Sequence, residues 1–132
     1  MAALIDTSVA IYVRDGHEGV AAKVAELAAA PSISVVTRVE LEGGVYRDQE
    51  DREVRRARLD AFLMIADELP FTTREAEVYG GIVEALGYSR RQILDRMIAA
   101  TAIIHRRRLI TFNGEDFGTI ANLDLEIWQA PS

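Results

Sequence analysis

Along the 132-residue chain, short apolar runs alternate with longer stretches whose apolar positions recur every three or four residues. The short runs are residues 3–6 ("ALID"), 32–36 ("SISVV"), 109–111 ("LIT") and 125–128 ("LEIW"), with a brief extended piece at 69–71 ("LPF"). Their length and their aliphatic or β-branched content predict strands. Helices are predicted between them: Ser8 to Arg14; 19–30, alanine-rich and stopped by Pro31; and from Thr37 onward, with Val39, Leu41 and Val45 among charged neighbours. Two more cover 50–67, where Leu59, Phe62, Leu63 and Ile65–Ala66 form the apolar side, and 72–87, ended by Gly87. Thr73 and Ala76 do not form a capping box. The clearest helix spans 89–108. Ser89 and Gln92 fit a capping box, and Leu94, Met97, Ile98 and Thr101 share one face. Ala99, Ala100 and Ala102 allow close approach to a sheet, and Arg106–Arg108 suit the negative end of the helix dipole.

Short strands alternating with helices predict an α/β fold with a short, mainly parallel sheet flanked by helices. The chain has the size of one domain, 1–132, with no linker, repeat or low-complexity tract. In such sheets ligands bind in the crevice beyond the carboxyl ends of the strands, and three acids fall there. Asp6 ends the first strand, Glu40 lies about one helical turn beyond the second, and Asp116 follows "LIT" within "TFNGEDF" (111–117). Asp95 is the fourth, in the early turns of the long helix among Ile93, Leu94, Met97 and Ile98.

Each acid has an ordinary explanation. Asp6 fits an N-cap, Glu40 a surface acid, Asp95 a helix-start acid and Asp116 a turn cap. Against this stands their convergence on one crevice, and a half-buried carboxylate such as Asp95 needs a partner.

Composition narrows the chemistry. There are no cysteines, so disulfides and thiolate zinc sites are excluded, and only two histidines, His17 and His105. Any metal must be held mostly by oxygen, which suits Mg²⁺ or Mn²⁺. The net charge of −6 argues against nucleic acid at first sight. A site built of carboxylates makes the balance acidic by itself, however. Every cationic side chain except Lys23 is an arginine, whose planar fork suits phosphate. The charge-dense segment 48–60 mixes both signs and reads as a solvated helix face. No apolar run spans a membrane and no secretory signal is visible, so the expected location is cytoplasmic.

With these residues in place, the chain resembles a PIN-domain protein, and more closely the VapC-type ribonuclease toxins of toxin–antitoxin pairs. The resemblance rests on "LIDTSV" (4–9), "SVVTRVELEGGVYR" (34–47), "ILDRMIAATAI" (93–103) and "LITFNGEDF" (109–117), in that order. It implies a PIN-like three-layer domain and a divalent-metal endoribonuclease. Its acidic cluster would be Asp6, Glu40, Asp95 and Asp116, with Thr7 or Ser8 beside it and Asn113 orienting the last loop. It also implies RNA as substrate, a cognate antitoxin that blocks the cleft and usually binds DNA, and a homodimer. One departure is Phe112, where members often carry Arg.

Phosphodiester hydrolysis needs an activated water and neutralised phosphate charge, and Mg²⁺ held by carboxylates supplies both. Asp6 and Asp95 are the expected direct ligands, while Thr7 and Ser8 cap the following helix. A phosphorelay receiver is disfavoured because Asp6 has no acidic neighbour and Lys23 is the only lysine; a haloacid-dehalogenase phosphatase is disfavoured because Ser8 replaces its second Asp. The remaining alternative is a non-catalytic α/β binding module whose acidic cleft receives a basic partner segment.

Overall fold

The computed structural model describes residues 2–132. Five parallel strands, β1 (Ala3–Ile5), β2 (Ser32–Ser34), β3 (Asp67–Leu69), β4 (Arg108–Thr111) and β5 (Leu125–Ile127), form one sheet in the order β3-β2-β1-β4-β5. Parallel neighbours need crossovers. These are supplied by α1 (Thr7–Arg14), α2 (Glu18–Ala25), α3 (Val35–Tyr46), α4 (Arg52–Ile65), α5 (Thr73–Leu86), α6 (Ile93–His105) and the short α7 (Gly114–Phe117).

Alternation along the strands divides the core in two. Ala3, Ile5, Ile33 and Ile110 pack with α1–α4 residues such as Val9, Leu41, Leu59 and Phe62. Leu4 and Leu109 face the other way, against Ile82 of α5, Ile98–Ala100 and Ala102 of α6, and Phe117 of α7. Helices therefore cover both faces, giving the expected three layers. The small side chains of α6, all fully buried, let that helix lie close on the sheet. Among the described residues no helix is long and apolar enough to cross a membrane.

Local boundaries differ from the sequence pattern for identifiable reasons. Val35 and Val36 open α3 instead of extending β2, because Ser34 is the N-cap and its Oγ accepts the Val36 N–H at 3.1 Å. The capping box lies one residue before Thr73: Thr72 and Glu75 form it reciprocally at the start of α5. Ser89 makes no cap bond. Residues 90–92 form a 3₁₀ turn, and α6 begins at Ile93. At its other end α6 stops at His105, where Arg106 turns left-handed (φ 54°), so Arg108 belongs to β4. The extended piece expected at 69–71 is the strand Asp67–Leu69, a polar edge strand that carries no apolar signature.

Candidate active site

The order of strands places β1 between β2 and β4, so chain direction across the sheet reverses at β1 and β4. This is the switch point at which parallel α/β sheets leave a crevice. A cavity of about 310 Å³ opens there, lined by Asp6, Thr7, Ser8, Ile11, Glu40, Asp95, Asn113, Asp116 and Phe117. All four acids singled out from sequence, and the three supporting residues, are brought to one place by β1, α1, α3, α6, α7 and the β4–α7 connection.

Asp6 is the buried anchor. Its Oδ1 accepts the Val9 N–H at 3.0 Å and the Ser8 hydroxyl at 2.9 Å, and its Oδ2 accepts the Thr111 hydroxyl at 2.5 Å. Asp6 thus caps α1 itself; the sequence-based expectation that Thr7 and Ser8 cap this helix is not met, since their hydroxyls donate to Glu40 and Asp6. Burial raises its pKa, against the opposing pull of hydrogen bonds from Thr111, Val9 and Ser8. Thr7 reaches sideways instead. Its hydroxyl donates to Glu40 Oε1 at 2.6 Å, so the fully buried Thr37, 3.0 Å away, donates to Thr7. Asp116 accepts from the Asn113 side-chain amide at 2.5 Å, and Arg91 approaches its other oxygen at 3.5 Å.

Asp95 sits in the first turn of α6. Its pKa is pushed up to about 6, first by burial and then by the charges of Asp116, Asp6 and Glu40. The neighbouring carboxylates therefore act on Asp95 as a common negative field, which a cation would relieve. The lining donors are all oxygen and amide with no thiol or imidazole, a set that fits a hard divalent ion. Among the described residues no three acids close into a ready ion cage.

Sequence reasoning missed the strand-end hydroxyls that brace this site. Thr111 accepts the Asn113 N–H at 3.0 Å while donating to Asp6, tying the last loop to the anchor acid. Thr101 of α6 donates to Met97 O, so Ser34 donates to Thr101 across 3.1 Å and links β2 to α6. The available signal was a small polar residue ending a buried strand, since a buried hydroxyl needs a partner. Phe112 lies outside the cavity; it packs edge-on against Tyr12, with ring centroids 5.5 Å apart.

A parallel α/β domain with carboxylates gathered at its switch point is the arrangement of a PIN domain, and the PIN domain model matches residues 3–123. The chain belongs to the PIN domain family, in its VapC type. It is 33% identical over 132 residues to Ribonuclease VapC1 of Rickettsia felis, covering 95% of each protein. To Ribonuclease VapC2 of the same organism it is 29% identical over 130 residues, covering 95% of this chain and 96% of the relative. Its fold superposes with a TM-score of 0.85, at 26% identity, on a chain in the crystal structure of VapBC2 from Rickettsia felis bound to a DNA fragment from their promoter; the match covers 98% of this chain and 100% of that one.

Proposed function

We propose that this chain is a divalent-metal-dependent endoribonuclease, the toxin of a toxin–antitoxin pair. The observation that carries the reading is the convergence of Asp6, Glu40, Asp95 and Asp116 on one cavity at the carboxyl ends of β1 and β4. The naming of two full-length relatives as ribonucleases supports it. Asp6 and Asp95 would hold a Mg²⁺ or Mn²⁺ ion directly, and Glu40 and Asp116 would hold a second ion or orient the attacking water. Such an ion would supply neutralisation of phosphate charge and acidification of water. Thr7, Thr111 and Asn113 fix the rotamers of Glu40, Asp6 and Asp116, so the carboxylates meet the substrate already oriented. The partner is a small antitoxin, as the complex named for the structural relative suggests. A homodimer and a cytoplasmic location complete the proposal.

The test is cleavage of RNA by the purified chain. Activity is expected with Mg²⁺ or Mn²⁺, abolished by chelator and by Asp6→Asn or Asp95→Asn. Undiminished cleavage in excess chelator, with contaminating nuclease excluded, refutes the metal mechanism. Complete absence of cleavage under all metal conditions favours a binding module whose acidic cleft receives a basic partner segment.

A further inference from the structure

A second cavity, about 790 Å³, adjoins the acidic one. The two share Thr7, Ile11 and Glu40 as walls, so the second lies directly beside the carboxylates, between α1 and α3. Its chemistry is different. Arg14, Arg47 and Arg55 line it with one further acid, Asp15, together with Tyr46 and the paired glycines Gly43 and Gly44. We propose that this groove holds the RNA strand flanking the cleaved bond, with Arg47 at a phosphate and Tyr46 against a base. The inference rests on the ribonuclease reading and assigns its substrate a track.

The three arginines are held differently. Arg55 is committed to structure: it donates to the carbonyls of Val45, Asp48 and Glu50, bracing the end of α3 while its charge stays at the groove wall. Arg14 is mostly buried, is paired with Asp15 at 3.0 Å, and lies against Gly44, where an added Cβ would touch its guanidinium at 3.6 Å. Arg47 is the available one. Its side chain is 80% exposed, and its one ion pair among the described residues, to Asp48, is long at 3.8 Å and exposed on both sides. Such a pair is weak and readily exchanged for a phosphate. Tyr46 is half exposed, and Arg52 lies over its ring at 5.3 Å, which steadies the ring. Arginines beside an aromatic platform suit single-stranded nucleic acid: charge follows the backbone, and a base stacks on the ring whatever its sequence. Glu40 marks the boundary where the groove meets the carboxylates, so a strand lying in it delivers its next phosphate to the acidic cavity.

The test measures binding without turnover. A fluorescein-labelled single-stranded RNA of about 12 nucleotides is titrated with the full chain in chelator and read by anisotropy, and a gel afterwards shows whether the RNA stayed intact. Arg47→Ala is expected to weaken binding roughly 3- to 10-fold and to lower the slope of log affinity against log salt by about 0.7. Gly43→Glu gives the same result by another route. An added Cβ there meets nothing within 4 Å, so the fold is undisturbed, and the new carboxylate stands one helical turn before Arg47 and pairs with it. Tyr46→Ala is expected to lose roughly 5- to 100-fold and Tyr46→Phe to retain affinity. Unchanged affinity and salt slope in both Arg47→Ala and Gly43→Glu, with unchanged circular dichroism, overturns the proposal and leaves the ribonuclease reading standing. Unchanged RNA binding with lost inhibition by a co-expressed antitoxin also overturns it, and makes the groove a protein-docking surface. RNA cut in chelator counts against the metal mechanism alone.

Discussion

Replacing Asp95 by Asn removes one charge from the cleft and keeps the side chain's shape. In the metal-free protein the Asp95 carboxyl is pushed from 3.8 up to about 6, by burial and then by Asp116, Asp6 and Glu40. A folded-state pKa above the unfolded one means that ionisation opposes folding. The stability Asp95 contributes is complete below pH 3.8 and is lost as the pH rises through about 6. At 1.36 kcal/mol per pH unit the whole shift corresponds to ~3 kcal/mol. The carboxyl is only partly buried, so water and salt screen it, and ~1–3 kcal/mol is the expected size. In chelator at pH 8, Asp95→Asn is therefore expected to melt ~3–10 °C above the wild type, and near pH 4 the difference is expected to close. Mg²⁺ is expected to raise the wild-type melting temperature, since an ion at a hundred times its dissociation constant adds ~2.7 kcal/mol, and to raise the variant's far less. Thermal unfolding of both proteins, in chelator at the two pH values and then with Mg²⁺, reads all of this. A variant clearly less stable than the wild type at pH 8, with equal responses to Mg²⁺, would show that Asp95 is a structural acid and refute the assignment.

Three further outcomes test the framework around the site. Thr111→Val removes the donor to Asp6 and the acceptor for the Asn113 N–H, both at a fully buried position; urea unfolding is expected to show a loss of ~1–3 kcal/mol. Glu75 is buried, which pushes its carboxyl up, yet hydrogen bonds from Thr72 and His105 outweigh this and hold it below 4.5. Glu75→Ala is expected to cost ~1–2 kcal/mol at pH 7 through the lost cap; because the folded pKa is depressed, that deficit should shrink as the pH falls below 4.5, and a pH-independent deficit would assign it to packing. Gly80→Ala, within α5 where an added Cβ meets nothing within 4 Å, is expected to gain ~0.5–1 kcal/mol in the same unfolding assay.

The acids were legible in the sequence because each follows a strand end or opens a helix, and position along a parallel sheet translates directly into position in space. The order of elements was legible for a related reason: strands buried on both faces read as short apolar runs. β3 was displaced because it breaks that rule. It lies at the sheet edge with Asp67 and Glu68 exposed, so nothing in its composition separates it from a loop. Val35 and Val36 favour strands intrinsically, but one serine cap decided against them. Side-chain direction was the least legible. Thr7 and Ser8 are adjacent, and both hydroxyls suit a cap, yet one reaches Glu40 across thirty-three residues and the other reaches Asp6. Only the packing of α1 against α3 determines which.

The hydroxyls also show why this cleft costs the fold less than four carboxylates would suggest. Asp6 receives three hydrogen bonds, Glu40 one from a threonine that is itself supported by Thr37, and Asp116 one from Asn113. For Asp6 these bonds stabilise the ionised form against its burial. Asp95 has no hydroxyl or amide bond in this network, and its pKa is pushed to about 6, first by burial and then by the charges of Asp116, Asp6 and Glu40. Burial and the cluster's repulsion thus act together on Asp95, at the start of a helix whose remaining turns are packed against the sheet. In the proposed mechanism that combination is useful: the acid least satisfied by the protein gains most from a cation, so ion binding and the relief of strain fall on the same carboxylate.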